Sequence, residues 1–412
     1  MYETSMERIK REIEIISKFT ATPGNGRTCF SYSEEDTGLR KYLVEQFTKL
    51  GLNISYDAVG NIRARLPGSD PSALPVMTGS HIDSVFQGGN YDGIVGVAGA
   101  LEVVRVFKEN NIPHTNPVDI IVFVEEEGSN FGSCCEGSKT LVGKHDVEDL
   151  KGLRNDRGIS MYEMAKESGY NPDKIQDFTV KSGDLKAMIE MHIEQSVILD
   201  NSDISIGIVE AIAGLKQYRV ELEGVSNHAG ATPMNSRKDP LAAAAKIITE
   251  LEDIACNRAE STTVATVGKI SCEPDVSNVI PGKVTFTMDI RDVNKQGIDF
   301  TVSEIRKKIL EIAVEYDLGV IIDLLGDQEV VRLSSMVADK MEKVAEERGF
   351  KYLRMNSGAV HDAVLFAPVT EAGLIFVPSK NGRSHVAEED TDIEDIKIGC
   401  DLLLGTILEL VS

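Results

Sequence analysis

The sequence predicts an α/β protein: a mixed, largely parallel sheet with helices on both faces, plus a smaller inserted α+β domain. Three observations carry this. Apolar runs that suit buried strands alternate with helical patterns in the first half. A β-α-β-β-α-β order, the ferredoxin-like arrangement, occupies roughly 213–329. Ionisable residues gather just after the strands of the first half, where open α/β sheets bind their ligands.

Each element has its own signal. Ile9, Ile13, Ile16 and Phe19 recur at helical spacing and predict an amphipathic N-terminal helix, with charges too frequent for a signal peptide. LPVMTG (74–79) reads as a buried strand, and Asp92 to Asn110 as a helix with Ile94, Val97, Ala98, Leu101 and Val104 on one face. VDIIVFV (118–124) is a β-branched run typical of a parallel strand covered on both sides, and AMIEMHIEQ (187–195) is a strand ending in polar residues.

The pattern changes near Gly214. LKQYRVELEG alternates as a strand, and DPLAAAAKIITELEDIA is a helix with Pro240 in its first turn after Asp239. TTVATVGKI and GKVTFTMDIRD are strands, VSEIRKKILEIAVEY a helix and LGVIIDLLG a last strand. The α/β pattern resumes near 330. This predicts a catalytic domain, 1–212 and 330–412, interrupted by a small domain, 213–329.

A chain of 412 residues has room for two domains, and its 42% hydrophobic and 26% charged residues are ordinary for a soluble protein. The formal charge of −23 argues against a nucleic-acid partner, since no basic run offsets it locally. No apolar stretch approaches the ~20 residues of a membrane span. The cysteines Cys29, Cys134, Cys135, Cys256, Cys272 and Cys400 form no CxxC pair and read as reduced thiols of a cytoplasmic protein; the adjacent Cys134 and Cys135 are a poor zinc signature.

Chemistry concentrates at strand ends. His81 and Asp83 follow one strand, Glu125, Glu126 and Glu127 the next, and His192 and Glu194 close a third. Of seven histidines, His114 and His145 read as solvated loop residues, while the other five sit among Gly, Ser, Asn or carboxylates. His81 and His192 offer neutral imidazoles, Asp92 offers two oxygens that can bridge two ions, and Glu127 and His385 complete a symmetric set. Such N/O ligands suit zinc, manganese, cobalt or nickel. Two ions ~3.5–4 Å apart can share a water and lower its pKa towards ~7. Asp92 could also cap the helix after it.

Asp83 is placed to accept the free ring N–H of His81. Glu126 and Glu127 point opposite ways in extended chain, so one can bind metal while the other serves as general base. For Glu125 an acidic surface turn remains open.

The stretches GSHIDSVFQGGNYDG, EEEGSNFG, MHIEQ, NHAGATPM, SGAVHDA and FVPSKNGRSH, in this order, resemble the M20-type metallo-amidohydrolases. Within them they are similar to the hydantoinase/carbamoylase branch: N-carbamoyl-L-amino acid hydrolases, β-ureidopropionase and allantoate amidohydrolases. The resemblance runs from about residue 7 to the C-terminus. It implies a zinc-exopeptidase-like catalytic domain in which His81 and His192 hold one divalent ion and Glu127 and His385 another, with Asp92 bridging. Zn²⁺ or Mn²⁺ is implied first, with Co²⁺ or Ni²⁺ admissible.

Glu126 would be the general base, and a cis peptide would follow Asp92. The inserted domain would make a homodimer and act as a lid. His228 would stabilise the oxyanion and contact substrate, reaching across from the partner subunit. Asn278 and Arg291 would hold the substrate carboxylate, with Gln195 and Gly358 lining the pocket and Gln217 a weaker candidate. Arg291 lies on the polar face of its strand, where a clamp can form; a salt bridge with Asp289 or Asp292 is the other reading. Val360 departs from the glycine expected in SGAVHDA and puts that loop's shape in doubt. His361 and Asp362 could orient the loop or touch substrate.

The resulting expectation is a dinuclear amidohydrolase cleaving a C–N bond of a small ureido compound that bears a carboxylate. An N-carbamoyl-L-amino acid comes first, releasing amino acid, carbon dioxide and ammonia; allantoate is the alternative. An aminoacylase or dipeptidase is disfavoured by EEEGS and HIEQ. A metal-stabilised binding protein that has lost catalysis is the reading from another class, and the intact Glu126 counts against it.

Overall fold

The computed structural model describes residues 2–412 and divides into two compact units. The first runs to Glu210 and adds Arg332–Met355 and Val360–Ser412; the second is Ala211–Val331 with Asn356–Ala359.

In the first unit, α1 (Met6–Ile16) opens on Ser5, whose hydroxyl accepts the Arg8 N–H. It buries Ile9, Ile13 and Ile16; Phe19 lies past its end but still packs on the same core. α2 (Glu34–Lys49) is next, capped by Ser33. The strands are β1 (Asn53–Tyr56), β2 (Ile62–Leu66), β3 (Val76–His81), β4 (Val118–Phe123), β5 (Ala187–Ile193) and β6 (Ile206–Ile212), with α3 (Ile94–Glu109) between β3 and β4. Among the described residues they belong to one nine-stranded sheet that runs β1-β2-β4-β3-β5, then Glu371–Val377, then β6. β4, β3, β5 and Glu371–Val377 are parallel to one another, while β1, β2 and β6 join antiparallel.

Alternation assigns the faces. Val118, Ile120 and Val122 of β4 share a core with Ala187, Ile189 and Met191 of β5, α3, and the helices Ser335–Arg348 and Ile393–Val411. The opposite face carries Phe123, His192 and Phe376, over which helix Asp362–Phe366 lays Phe366. Helices therefore cover both faces. Among the described residues, no helix is long and apolar enough to cross a membrane.

α3 starts two residues later than expected. Gly93, at φ 68°, occupies the cap position without a side-chain bond, so Asp92 is not a cap and its carboxylate stays free for other partners.

In the second unit, β7 (Gly214–Glu223) pairs antiparallel with Gly319–Gln328 on one side and Lys283–Asp292 on the other, and Val264–Glu273 completes the sheet. Helix Pro240–Asp253 begins where expected, with Asp239 accepting the Leu241 and Ala242 N–H groups. It packs with helix Lys295–Glu315 on Val220, Leu222, Val284, Phe286, Met288 and Ile290. Asp289 and Arg291 alternate onto the other face. Asn356–Ala359 joins this unit through Ala213 N–H to the Ser357 carbonyl and Arg291 to the Gly358 carbonyl, pairings between distant segments that local sequence does not announce.

Candidate metal centre

Parallel strands deliver their carboxyl ends to one edge, and that geometry brings the histidines together. His81 ends β3 and His192 lies near the end of β5, its neighbour. Asp92 arrives from the loop before α3, Glu127 from the turn after β4, and His385 from the segment after Glu371–Val377.

His81 Nε2 lies 3.4 Å and His192 Nε2 3.2 Å from Asp92 Oδ1, and the two ring nitrogens are 3.5 Å apart. The other carboxylate oxygen, Oδ2, is 3.5 Å from His385 Nε2, which is 3.3 Å from Glu127 Oε2. Two sets of three donors thus share Asp92, each able to hold an ion. Around a tetrahedral ion with bonds of 2.0–2.1 Å, ligand atoms lie about 3.3–3.4 Å apart. The observed spacings match. Glu127 Oε1 is buried without a partner, a further oxygen facing unmet demand. His81, Asp92 and His192 are all buried, whereas His385 is exposed.

The rings are oriented for this. His81 Nδ1 bonds the Asp83 carbonyl at 3.2 Å and His192 Nδ1 the Ile193 carbonyl at 2.9 Å. Donation from Nδ1 leaves each Nε2 lone pair facing the site, where that of His192 also takes the Gly93 N–H at 3.2 Å. Asp83 therefore orients His81 through its main chain, not its carboxylate as expected: the nearer carboxylate oxygen is 3.7 Å from the ring. That carboxylate instead accepts the N–H groups of Glu126 (3.2 Å) and Glu127 (3.0 Å), fixing the turn that carries both.

Gly93 has no substitute here. Its φ is 68°, and a Cβ would lie 2.5 Å from the His81 ring. The Asp92–Gly93 bond is trans, against expectation; among the described residues the cis bond is Glu273–Pro274. The positive φ of Gly93 makes the turn instead.

Charge accords with the geometry. Burial works against an ionised Asp92, but His192, His385 and His81 hold it well below the usual carboxylate range. Burial would lower His81, yet Glu126, Asp92 and Asp83 carry it well above its ordinary value. Asp92 raises His385 to about 9 against partial burial, with Glu127 assisting. Burial and the neighbouring Asp92 push Glu127 up to about 7. The cluster is built to stabilise positive charge next to Asp92.

Glu126 is buried, with Oε2 3.6 Å from His81 Nε2. Burial lifts it well above the carboxylate range, His81 opposing. Glu125 is no surface turn: it is fully buried at φ 53°, and Oε1 accepts the Asn130 and Phe131 N–H groups. The strand ends at Phe123, so the three glutamates lie on a turn where strand alternation no longer applies.

Residues 77–409 match the model of peptidase family M20/M25/M40. The chain belongs to that family. Over 410 residues it is 36% identical to N-carbamoyl-L-amino-acid amidohydrolase of Paenarthrobacter aurescens, covering 100% of this chain and 99% of the relative. Over 405 residues it is 34% identical to allantoate amidohydrolase of Escherichia coli (strain K12), covering 98% of each. The crystal structure of an amidase of the hydantoinase/carbamoylase family from Burkholderia multivorans matches with a TM-score of 0.93 at 30% identity, covering 100% of this chain and 98% of that one. The expected M20-type resemblance and its hydantoinase/carbamoylase branch agree with these findings, as does a hydrolase of carbon–nitrogen bonds other than peptide bonds.

The remaining candidates of this M20 hydrolase fall into separate groups. Gln195, at φ 60°, donates from Nε2 to Asp92 Oδ2 at 2.6 Å and so sits on the metal-ligand cluster. In the second unit, Arg291 lies side-on to Asp289 (2.8 and 3.2 Å) and donates to the Gly358 carbonyl at 2.9 Å. The salt bridge left open in the sequence is thus present with Asp289, while Asp292 accepts from Thr262 and Thr263. Gln217 stands opposite Asp289 in the sheet.

The exposed His228 takes the Gly230 and Ala231 N–H groups on Nδ1 (3.1 and 3.2 Å), which leaves the proton of its neutral ring on Nε2. Asn278 accepts the Ala229 N–H through its carbonyl. His361 and Asp362 are buried. His361 packs edge-on against His192 with centroids 4.5 Å apart, and Asp362 accepts from Ser138 Oγ at 2.5 Å. Val360 has no left-handed backbone, so the departure from glycine imposes no strain there.

Two contributors were missed. Glu389 Oε1 accepts the Tyr91 and Asp92 N–H groups (2.8 and 3.1 Å), and Ser384 Oγ lies 2.8 Å from Asp92 Oδ2 and 2.9 Å from Glu389 Oε2. In SHVAEED nothing local separates Glu389 from its acidic neighbours. His145, expected in a solvated loop, contacts the buried Glu136 at 2.6 Å.

Proposed function

We propose that this M20 hydrolase is a dinuclear amidohydrolase that cleaves a small ureido compound bearing a carboxylate, an N-carbamoyl-L-amino acid before others. The observation that carries this is the Asp92 carboxylate, whose two oxygens face two different donor sets. Full-length similarity to an N-carbamoyl-L-amino-acid amidohydrolase supports the substrate class.

His81 and His192 would hold one divalent ion, Glu127 and His385 the other, with Asp92 between; zinc or manganese suits the donors, and cobalt or nickel also fits. Bound there, such ions acidify water and polarise a carbonyl oxygen. Glu126 takes the proton of the attacking water on Oε2 and delivers it to the leaving nitrogen. His228, reaching across from the partner subunit with its Nε2–H, would donate to the oxyanion, an interaction worth about 3–4 kcal/mol for such donors. Arg291 spends three of its five N–H groups on Asp289 and Gly358. Two remain for a substrate carboxylate, with Asn278 and Gln195 as further polar contacts.

Ammonia leaves, and the carbamate of an N-carbamoyl substrate then loses carbon dioxide to free the amino acid. We further infer a homodimer in which the inserted unit is lid and interface, and a cytoplasmic setting, which the free cysteines suit.

Similarity to allantoate amidohydrolase favours allantoate as the second reading. The test is to load the protein with Zn²⁺ or Mn²⁺ and measure ammonia release from N-carbamoyl-L-amino acids, N-carbamoyl-β-alanine and allantoate, with dipeptides as control. Turnover of N-carbamoyl-L-amino acids is expected. Turnover of dipeptides alone overturns the reading, and ion binding with no turnover of any substrate points to a binding protein.

A further inference from the structure

Glu126 is held by main chain at both ends. Its N–H donates to Asp83 Oδ1 at 3.2 Å, and its carbonyl accepts the Cys135 N–H at 2.7 Å. Its side chain is held differently. Oε1 accepts from Cys135 Sγ at 3.3 Å, while Oε2 faces His81 Nε2 at 3.6 Å. One carboxylate oxygen is thus tied to the protein and the other is left to the site.

The backbone around Cys135 is arranged to present that thiol. Cys135 has φ 57° and ψ 34°, a left-handed conformation that a residue with a Cβ adopts at a cost. Three successive N–H groups hold it there: Cys135 to Glu126 O, Glu136 to Glu125 O and Gly137 to Val124 O, at 2.7, 2.9 and 2.9 Å. The thiol is 1% exposed, so water does not compete for the bond. Burial, with Glu126 beside it, pushes the thiol well above its ordinary value and keeps it a donor.

We propose that Cys135 is a positioning residue: its buried Sγ–H anchors Oε1 of Glu126 and thereby aims Oε2 at the reacting groups. This rests on the reading of Glu126 as general base. The choice of a thiol has a chemical logic. A base must keep its affinity for a proton, and a strong donor on Oε1 would stabilise the anion and weaken it. Sulfur is a weak donor, so it fixes direction with little loss of basicity. The second oxygen then meets first the water proton and afterwards the leaving nitrogen without turning.

The experiment compares Cys135→Ala, Cys135→Gly, Cys135→Ser and Glu126→Gln in the metal-loaded, full-length protein, reading kcat, KM, bound metal and thermal midpoint. Loss of one such hydrogen bond predicts a fall in kcat of about three- to tenfold in the Ala and Gly variants, with KM and metal content unchanged. Glycine relieves the left-handed backbone, so it separates lost anchoring from failure to fold. Serine restores the direction of the carboxylate but, as the stronger donor, weakens the base, so it should recover only part of the lost kcat. Wild-type kcat in both Cys135→Ala and Cys135→Gly, or a serine variant with more than wild-type kcat, overturns the proposal. If Glu126→Gln stays active, the reading of Glu126 itself has failed. If Glu126→Gln is inactive while the Cys135 variants are unaffected, only this inference falls.

Discussion

The two halves of the candidate metal centre share one carboxylate but differ in setting. His81, Asp92 and His192 are fully enclosed, their rings locked by the main-chain carbonyls of Asp83 and Ile193. Glu127 and His385 sit at the open side, and His385 is reached by solvent on a left-handed backbone at φ 61°. The first half is a preorganised part of the sheet edge; the second is assembled by loops. This predicts a tight ion and a looser one, with Asp92 as the joint.

The largest effect is expected where the halves meet. Asp92→Ala should lose both ions and reduce turnover to background, and retention of either ion at wild-type affinity would separate the halves. Glu126→Gln should keep both ions and lower kcat by about 10²–10⁴; metal analysis beside kinetics checks this, and an active variant removes the assigned base. Glu389→Gln should weaken metal binding by about 10–100-fold without removing a ligand, as loss of ligand-orienting groups does. Equal affinity in a metal titration would show that Glu389 only packs.

Arg291→Ala should raise KM by about 10–100-fold with little change in metal content, from the loss of charge-assisted hydrogen bonds. An unchanged KM removes the carboxylate clamp.

A graded test of the open half varies pH. Without an ion, His385 titrates at about 9 and Glu127 at about 7, both raised above their ordinary values. A raised value means the ion must displace a proton, so affinity at the open half should rise with pH and level off above about 9. Displacing the His385 proton predicts up to about tenfold per pH unit from 7 to 9. A titration that is flat over this range contradicts that assignment.

Much of this was legible because strand ends are readable. Apolar runs located β3, β4 and β5, and an α/β sheet presents the residues after such strands at one edge, so His81, Glu127 and His192 could be grouped from sequence. His385 joined that set from the glycine-bearing stretch KNGRSH, and the M20 resemblance implied the same pairing with Glu127. The features that stayed hidden depended on pairing at a distance. Glu389 meets Asp92 across 297 residues, and nothing in its own neighbourhood marks it. Glu125 stayed open to an acidic surface turn because strand logic stops at Phe123, and the left-handed turn that buries its side chain has no local signal. Asp83 was read from its carboxylate, though its carbonyl is nearer the ring. Cys135 read as one of several reduced thiols until the fold placed it on Glu126.

The most direct test counts ions. Protein stripped with a chelator is titrated with Zn²⁺ or Mn²⁺ while bound metal and turnover of an N-carbamoyl-L-amino acid are read on the same sample. Two ions per chain should bind in two steps, with full turnover appearing on the second. Full turnover with one ion per chain would contradict the account of Asp92 as the joint between two metal sites.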